Sequence, residues 1–287
     1  MFSFSSLVIL IVGMTAGMIA GLFGVGGNFL IVPALSLLPE LPISVIVGSG
    51  ICYVLGPATT AILARRPKAN DWALPLILVG GIISGTVIGA ELLERAKVVD
   101  SMQAEAQWQL SRVIVLGVYF VLLLFIGSFA IWESGQSKKR NGKQQPEPTR
   151  EKRWWHVEFP DERLGSLFSL SYFGFGVGVL SGLLGISGGV VLFPGLLYLY
   201  GFRTRDAVKT TVVTTWLISF QGTIIHAWYE NVSLNVVILL LIGGTIGARL
   251  GAEIGSRISG KGLRRQFGWL VLATSLLTLY QLSAELM

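Results

Sequence analysis

The sequence predicts an all-α polytopic membrane protein made of two inverted repeats of five segments each, every repeat carrying a Gly-rich broken helix or re-entrant arm. Three observations predict it. Charged residues are 13% and hydrophobic residues 52% of the 287, and the mean hydropathy is +0.68, whereas a soluble domain carries about 25% charge. A string at 21–33, GLFGVGGNFLIVP, returns at 182–194 as GLLGISGGVVLFP. The loops that flank the two copies carry opposite charge.

Ten apolar segments follow one another. The first, 7–23, has no Lys or Arg ahead of it. A cleaved leader opens on basic residues, so this segment is expected to be retained. The second, 29–38, is about a dozen residues or fewer and too short to cross a bilayer, which takes about 20. It reads as a half-helix or re-entrant arm. The third to fifth, 43–64, 73–93 and 110–132, are long enough to span. A polar stretch at 133–163, containing SKKRNGKQQPEPTREKR, reads as a flexible cytoplasmic connection. The sixth segment, 164–184, leads to a short seventh, 190–200, which is the second arm. The eighth to tenth are 207–228, 234–254 and 267–282. Trp72, Trp108, Trp132, Trp228 and Trp269 fall near segment ends, as an aromatic belt requires. The expected organisation is a first repeat at 1–132, the linker at 133–163 and a second repeat at 164–287.

The halves align without gaps around the strings. Gly17, Gly21, Leu22, Gly24, Gly27, Pro33, Leu35 and Leu38 meet identical residues in 178–199. Three loop pairs then swap sign: RRPKAND against YENVS, LPELPIS against GFRTRDAVK, and ELLERAKVVDSMQAEAQ against RLGAEIGSRISGKGLRR. Cytoplasmic loops collect Lys and Arg, so equivalent loops must lie on opposite sides. Five segments per half produce that inversion, with the linker inside and both termini outside. An internal repeat of this kind is a transporter architecture. The net charge of +6 sits in a few loops and the linker and is no nucleic-acid signal. The lone Cys52 excludes an intrachain disulfide.

Broken backbone inside a membrane is tolerated only where protein or a water-filled cavity surrounds it. After each break a short helix starts, near Asn28 and near Gly189. Its first turn offers free N–H groups and a partial positive charge, with no acidic residue nearby to compensate, which suits an anion. Gly24, Gly26, Gly27 and Asn28, with Gly185, Ser187, Gly188 and Gly189, are therefore the expected site. The spaced Gly13, Gly17 and Gly21, like Gly174, Gly178 and Gly182, are expected to serve helix packing. Hydroxyls that could donate to an anion are those of Tyr53, Thr211, Thr214 and Thr215. His226, expected at the outer end of its helix, Gln221 and Lys209 are candidates for gating or coupling. No carboxylate lies deep in a span, and no metal set, nucleotide motif or cofactor motif is present. The expected partners are a small anionic substrate and the lipid bilayer, and not nucleic acid.

The paired strings, with a HAWYENVS-like loop between later helices, resemble the sulfite exporter TauE/SafE family of membrane transporters. The resemblance covers nearly the whole chain outside the linker. It implies a carrier of small sulfur-containing anions, such as sulfite, sulfoacetate or other organosulfonates, with the two motifs meeting at the substrate. Asn28 stands where the second motif has Gly189, and Ser187 where the first has Gly26, so the implied site is asymmetric. Two other readings remain open at this point. One is a passive anion channel. The other is a rhomboid-like intramembrane serine protease, in which Ser187 of GISG would be nucleophile and His226 base.

Overall fold

Lipid offers the backbone no hydrogen-bond partner, so a spanning segment must satisfy its own N–H and C=O groups as a helix. A computed structural model of the chain describes residues 4–23, 26–38, 40–67, 70–102, 109–136, 156–158, 164–202, 204–255 and 260–286. In chain order the first half comprises α1 (Phe4–Phe23), α2 (Asn28–Leu35), α3 (Ile43–Tyr53), α4 (Leu55–Arg65), α5 (Asn70–Met102) and α6 (Leu110–Gln136). The second comprises α7 (Leu167–Leu184), α8 (Gly189–Pro194), a π-helical turn (Gly195–Leu199), α9 (Thr204–Trp228), α10 (Leu234–Gly255) and α11 (Gly260–Leu286). Seven spans among the described residues are long and apolar enough to cross a membrane. Their outward faces carry exposed apolar side chains such as Leu7, Val121, Phe125 and Ile238, which suits contact with lipid. The chain is thus an all-α polytopic membrane protein.

The structure departs from the expected segments at three places. The third segment is two helices, because Pro57 lacks an N–H and its ring crowds the carbonyl four residues back, at Tyr53, where α3 ends. The fourth is a 33-residue helix, about 50 Å long, which carries its acidic tail 91–102 beyond the apolar run. The sixth begins at Leu167, because Leu164–Ser166 pairs antiparallel with His156–Glu158, placing Val157 opposite Gly165. Residues 133–136 continue α6; the rest of the linker, and Trp108, lie outside the described residues.

Three helix pairs dominate the packing: α1 with α10, α5 with α7, and α6 with α11. The first two are close, glycine-lined and parallel. A Cβ on Gly17 would sit 2.1 Å from the Gly244 carbonyl oxygen, and one on Gly247 1.9 Å from that of Met14. On the other pair, Gly85 and Gly178 would meet the carbonyls of Phe175 and Ile82 at 2.2 and 2.4 Å. Without a hydrophobic force between helices in lipid, such backbone contact supplies the packing energy. By contrast α6 and α11 are antiparallel, with Gly127 at Leu272 and Gly268 at Ile131. So are α3–α4 and α9, with Ile51 at Gly222 and the Trp216 indole donating to Thr59 Oγ1 at 2.9 Å.

This packing makes a paired expectation. Gly85→Ala should lower the melting temperature in detergent by the equivalent of about 1–3 kcal/mol, the usual cost of overpacking. Gly80→Ala, where an added Cβ has nothing within 4 Å, should be neutral or stabilising by up to about 1 kcal/mol through helix propensity. Equal melting of the two variants would contradict the α5–α7 contact.

Candidate functional site

Each Gly-rich string ends one helix and starts another by the same backbone device. Gly26 and Gly27 have φ of +85° and +65°, and Gly27 caps α2; Gly185 and Gly188 have φ of +70° and +73°, and Gly188 caps α8. Residues with a Cβ rarely adopt this left-handed conformation, so glycine is what turns the chain sharply here. Neither cap makes a side-chain hydrogen bond. Gly24, also in the expected set, lies outside the described residues.

The two breaks meet. The buried Asn28 amide donates through Nδ2 to the Gly185 carbonyl, joining the first arm to the second break. Asn28 Oδ1 has no hydrogen-bond partner and faces α3, 3.0 Å from where a Cβ on Gly50 would stand. A Cβ on Gly26 would lie 2.8 Å from Ser187 Oγ, 3.4 Å from Thr215 Cγ2 and 3.5 Å from Val54 Cγ1. Gly26, Asn28, Gly185, Ser187 and Thr215 therefore form one cluster. Beside it lies a cavity of about 10 Å³ lined by Ala20, Gly26, Pro57, Ala58, Ala61, Val212 and Thr215. That is room for a single water at most, and no acidic residue lines it.

The remaining expected residues separate into three groups. Thr211 and Thr215 are fully buried with hydroxyls that have no partner. Buried polar groups are nearly always hydrogen-bonded in proteins, so these hydroxyls are available to a ligand or water. Thr214 donates to the Thr210 carbonyl of its own helix at 2.8 Å and is already used. Tyr53 does not reach the cluster: its hydroxyl donates to the Gly13 carbonyl at 3.3 Å, and its ring lies against Gly244. It is a packing residue between α3, α1 and α10.

Lys209 pairs with Asp71 of α5 at 3.8 Å, so it bridges two helix ends. Gln221 donates to Thr86 Oγ1 at 3.1 Å, tying α9 to α5. His226 lies two residues from the end of α9, near the helix end as expected, and is fully buried, with neither ring nitrogen in a formed hydrogen bond. Ser187 and His226 are not brought together. Ser187 shares the cluster with Thr215, and His226 stands eleven residues further along α9, about 16 Å at 1.5 Å per residue. Three further buried, unpartnered hydroxyls, Tyr119, Ser181 and Ser219, were not among the expected residues. Ser219 had a legible signal, since it lies one helical turn beyond Thr215 on the same face.

Comparison with known proteins agrees with this architecture. The chain is 24% identical over 254 residues, 83% of its length and 84% of the relative's, to a Bacillus subtilis (strain 168) protein named probable membrane transporter protein YunE. Two Xylella fastidiosa proteins, each named probable membrane transporter protein, are 29% identical (strain 9a5c) and 36% identical (strain Temecula1) over 128 residues, 44% of each chain. No solved structure matches it. Residues 9–278 match the family model described as sulfite exporter TauE/SafE, so this membrane protein, with its two Gly-rich breaks joined at Asn28 and Gly185, belongs to the sulfite exporter TauE/SafE family.

Proposed function

We propose that the protein is a secondary transporter of small sulfur-containing anions, such as sulfite, sulfoacetate or other organosulfonates, working by alternating access between two inverted repeats. The observation that carries this reading is the cluster where the breaks meet. There Ser187 and Thr215 offer hydroxyls to an anion, Thr211 stands one turn away along α9, the α2 start carries a partial positive charge, and the cavity lining holds no carboxylate. The repeats would be 1–132 and 164–287, joined by the 133–163 linker on the cytoplasmic side, with both termini outside. The antiparallel course of the equivalent pairs α6 and α11, and α3–α4 and α9, supports inversion. The small cavity supports a closed state from which α4 and α9 must part to admit an anion.

The deciding experiment is a thermal-shift panel on purified protein with sulfite, sulfate, thiosulfate, sulfoacetate, taurine and lactate. A ligand at about 100 times its Kd stabilises by about 2.7 kcal/mol, a shift of several degrees. Stabilisation by sulfonates or sulfite is the expected result. Stabilisation by organic cations, with none from any of these anions, overturns the anion assignment. In proteoliposomes, saturable exchange stimulated by counter-substrate is expected, whereas unsaturated conductance would mean a channel.

Ser187→Ala separates transport from proteolysis. One lost hydrogen bond of about 1 kcal/mol should weaken anion binding by about fivefold and leave the maximal exchange rate nearly unchanged. A protease nucleophile would instead be indispensable.

A further inference from the structure

Along α9, Thr211, Thr215, Ser219, Gly222 and His226 recur every three to four residues and so share one face. The four polar members are buried, and each has a side-chain donor or acceptor without a partner. Lining up the halves so that Gly17 meets Gly178 puts Gly50, Val54, Ala58 and Arg65 at the equivalent positions of the first half. The stripe of hydroxyls ending in a titratable ring therefore belongs to the second half alone. At its matching end the first half has an arginine, which is permanently charged.

His226 lies beside the broken end of α7. Its ring lies against the backbone of Gly182 in α7. Gly185 ends that helix, and the last backbone bond runs from Gly185 N to the Ser181 carbonyl at 2.8 Å. The Gly182 carbonyl thus loses the Ile186 partner that a continuous helix would supply. A helix C-terminus carries partial negative charge and stabilises a cation placed against it. The second break accordingly has two electrical faces. The α8 start presents backbone N–H groups, and the α7 end presents carbonyls on the side of the His226 ring.

The elements packed on α9 are α3, α4, α5, α7, α8 and the π turn. Neither α7, α8 nor the π turn carries a charged residue; Tyr172 of α7 is exposed and Tyr198 of the turn packs edge-to-face with Phe129. From α3, the Cys52 thiol bonds Thr223 and the Tyr53 hydroxyl bonds Gly13. At the opposite, Thr204 end of α9 stand Asp71, paired with Lys209, and the last residue of α4, Arg65. The charged groups at the His226 end are those of α5 and the exposed Glu230 in the turn that follows α9. Tyr229, one turn past His226, donates to Glu91 Oε2 at 2.9 Å, and Asn231 donates to Glu94 Oε2 at 3.4 Å. Arg95 and Lys97 pair with these two acids at 3.0 and 3.1 Å.

We infer that His226 is the proton-binding residue that couples anion movement to protons, loaded from the Glu91–Glu94 end and linked to the anion cluster by the Ser219–Thr215–Thr211 stripe. The inference rests on the transport reading above. Imidazole gains a proton at one ring nitrogen while an anion occupies the cluster and returns it when the anion leaves; no other bond changes. Because coupling is reciprocal, anion binding must draw a proton onto the protein.

The test uses the full chain in proteoliposomes with methanesulfonate, a permanent monoanion, together with the sulfonate and sulfite panel. At one proton per monoanion, an imposed tenfold proton gradient should hold about a tenfold anion gradient. His226→Gln should keep equilibrium exchange and lose the gradient-driven accumulation. Ser219→Ala, which keeps the imidazole, should slow accumulation severalfold with exchange unchanged. In weakly buffered detergent solution, wild-type protein should take up protons when the anion is added, a readout that stands even where His226→Gln does not fold. Wild-type exchange without proton uptake or gradient response, or His226→Gln accumulating like wild type, overturns the coupling and leaves the transport reading intact. No exchange of any panel anion overturns both.

Discussion

Asn28→Asp is expected to abolish sulfonate or sulfite exchange in proteoliposomes, by at least about a hundredfold, and to lower the melting temperature. Asn28 ties the two breaks together, through Nδ2 to the Gly185 carbonyl. Aspartate has no donor for that carbonyl. Its negative charge would be buried, because the site is 1% exposed, and a buried charge without a partner costs about 3–5 kcal/mol. The new carboxylate would also occupy the start of α2, competing with an anionic substrate for the same partial positive charge. Asn28→Ala separates the two effects. It only orphans the Gly185 carbonyl, a cost of about 1–3 kcal/mol, and should retain measurable exchange. An Asn28→Asp protein that exchanges sulfonate like the wild type would show that the junction is not the anion site.

Gly27→Ala is expected to have the largest effect on folding. The residue has φ of +65°, and an added Cβ would lie 2.0 Å from the Ala16 carbonyl oxygen. The left-handed conformation alone costs alanine about 1–2 kcal/mol. The overlap is with backbone, so no side-chain rotation relieves it, and α2 must move away from α1. A combined loss of about 3 kcal/mol or more follows from these two terms, read as a steep fall in folded yield and melting temperature. Gly26→Ala makes the contrast. Its Cβ would meet the Ser187 hydroxyl, which can turn aside, so stability should fall less while anion binding is altered. Gly27→Ala melting with the wild type would contradict the close seating of α2 on α1.

The membrane class, the order of the segments and the two interrupted arms were legible because each depends on local properties. Apolar run length decides whether a segment spans, and a cluster of glycines decides where a helix can break. The spaced glycines at Gly13, Gly17, Gly174 and Gly178 were legible as packing positions for the same reason, and a Cβ added to each would lie 2.1–2.7 Å from a neighbouring backbone. Even the split of the third segment had its cause in view at Pro57, although a long apolar run masks a short interruption.

What side chains do within a helix was not legible. Tyr53 and Thr215 both carry a hydroxyl on a polar position of an apolar segment, yet one bonds Gly13 and the other has no partner beside Gly26. Position along the helix placed His226 near an end of α9, where it lies, but did not show that it is fully buried with its ring beside Gly182 of α7. The sequence by itself determined which stretches are apolar enough to span, where the two arms are interrupted and which residues let backbones touch, since hydropathy, glycine and proline act within a few residues. Only the tertiary structure decided that Asn28 reaches Gly185, 157 residues away, and which buried hydroxyls are left unpaired. Those outcomes depend on which helix lies opposite, and no local property of the chain specifies that.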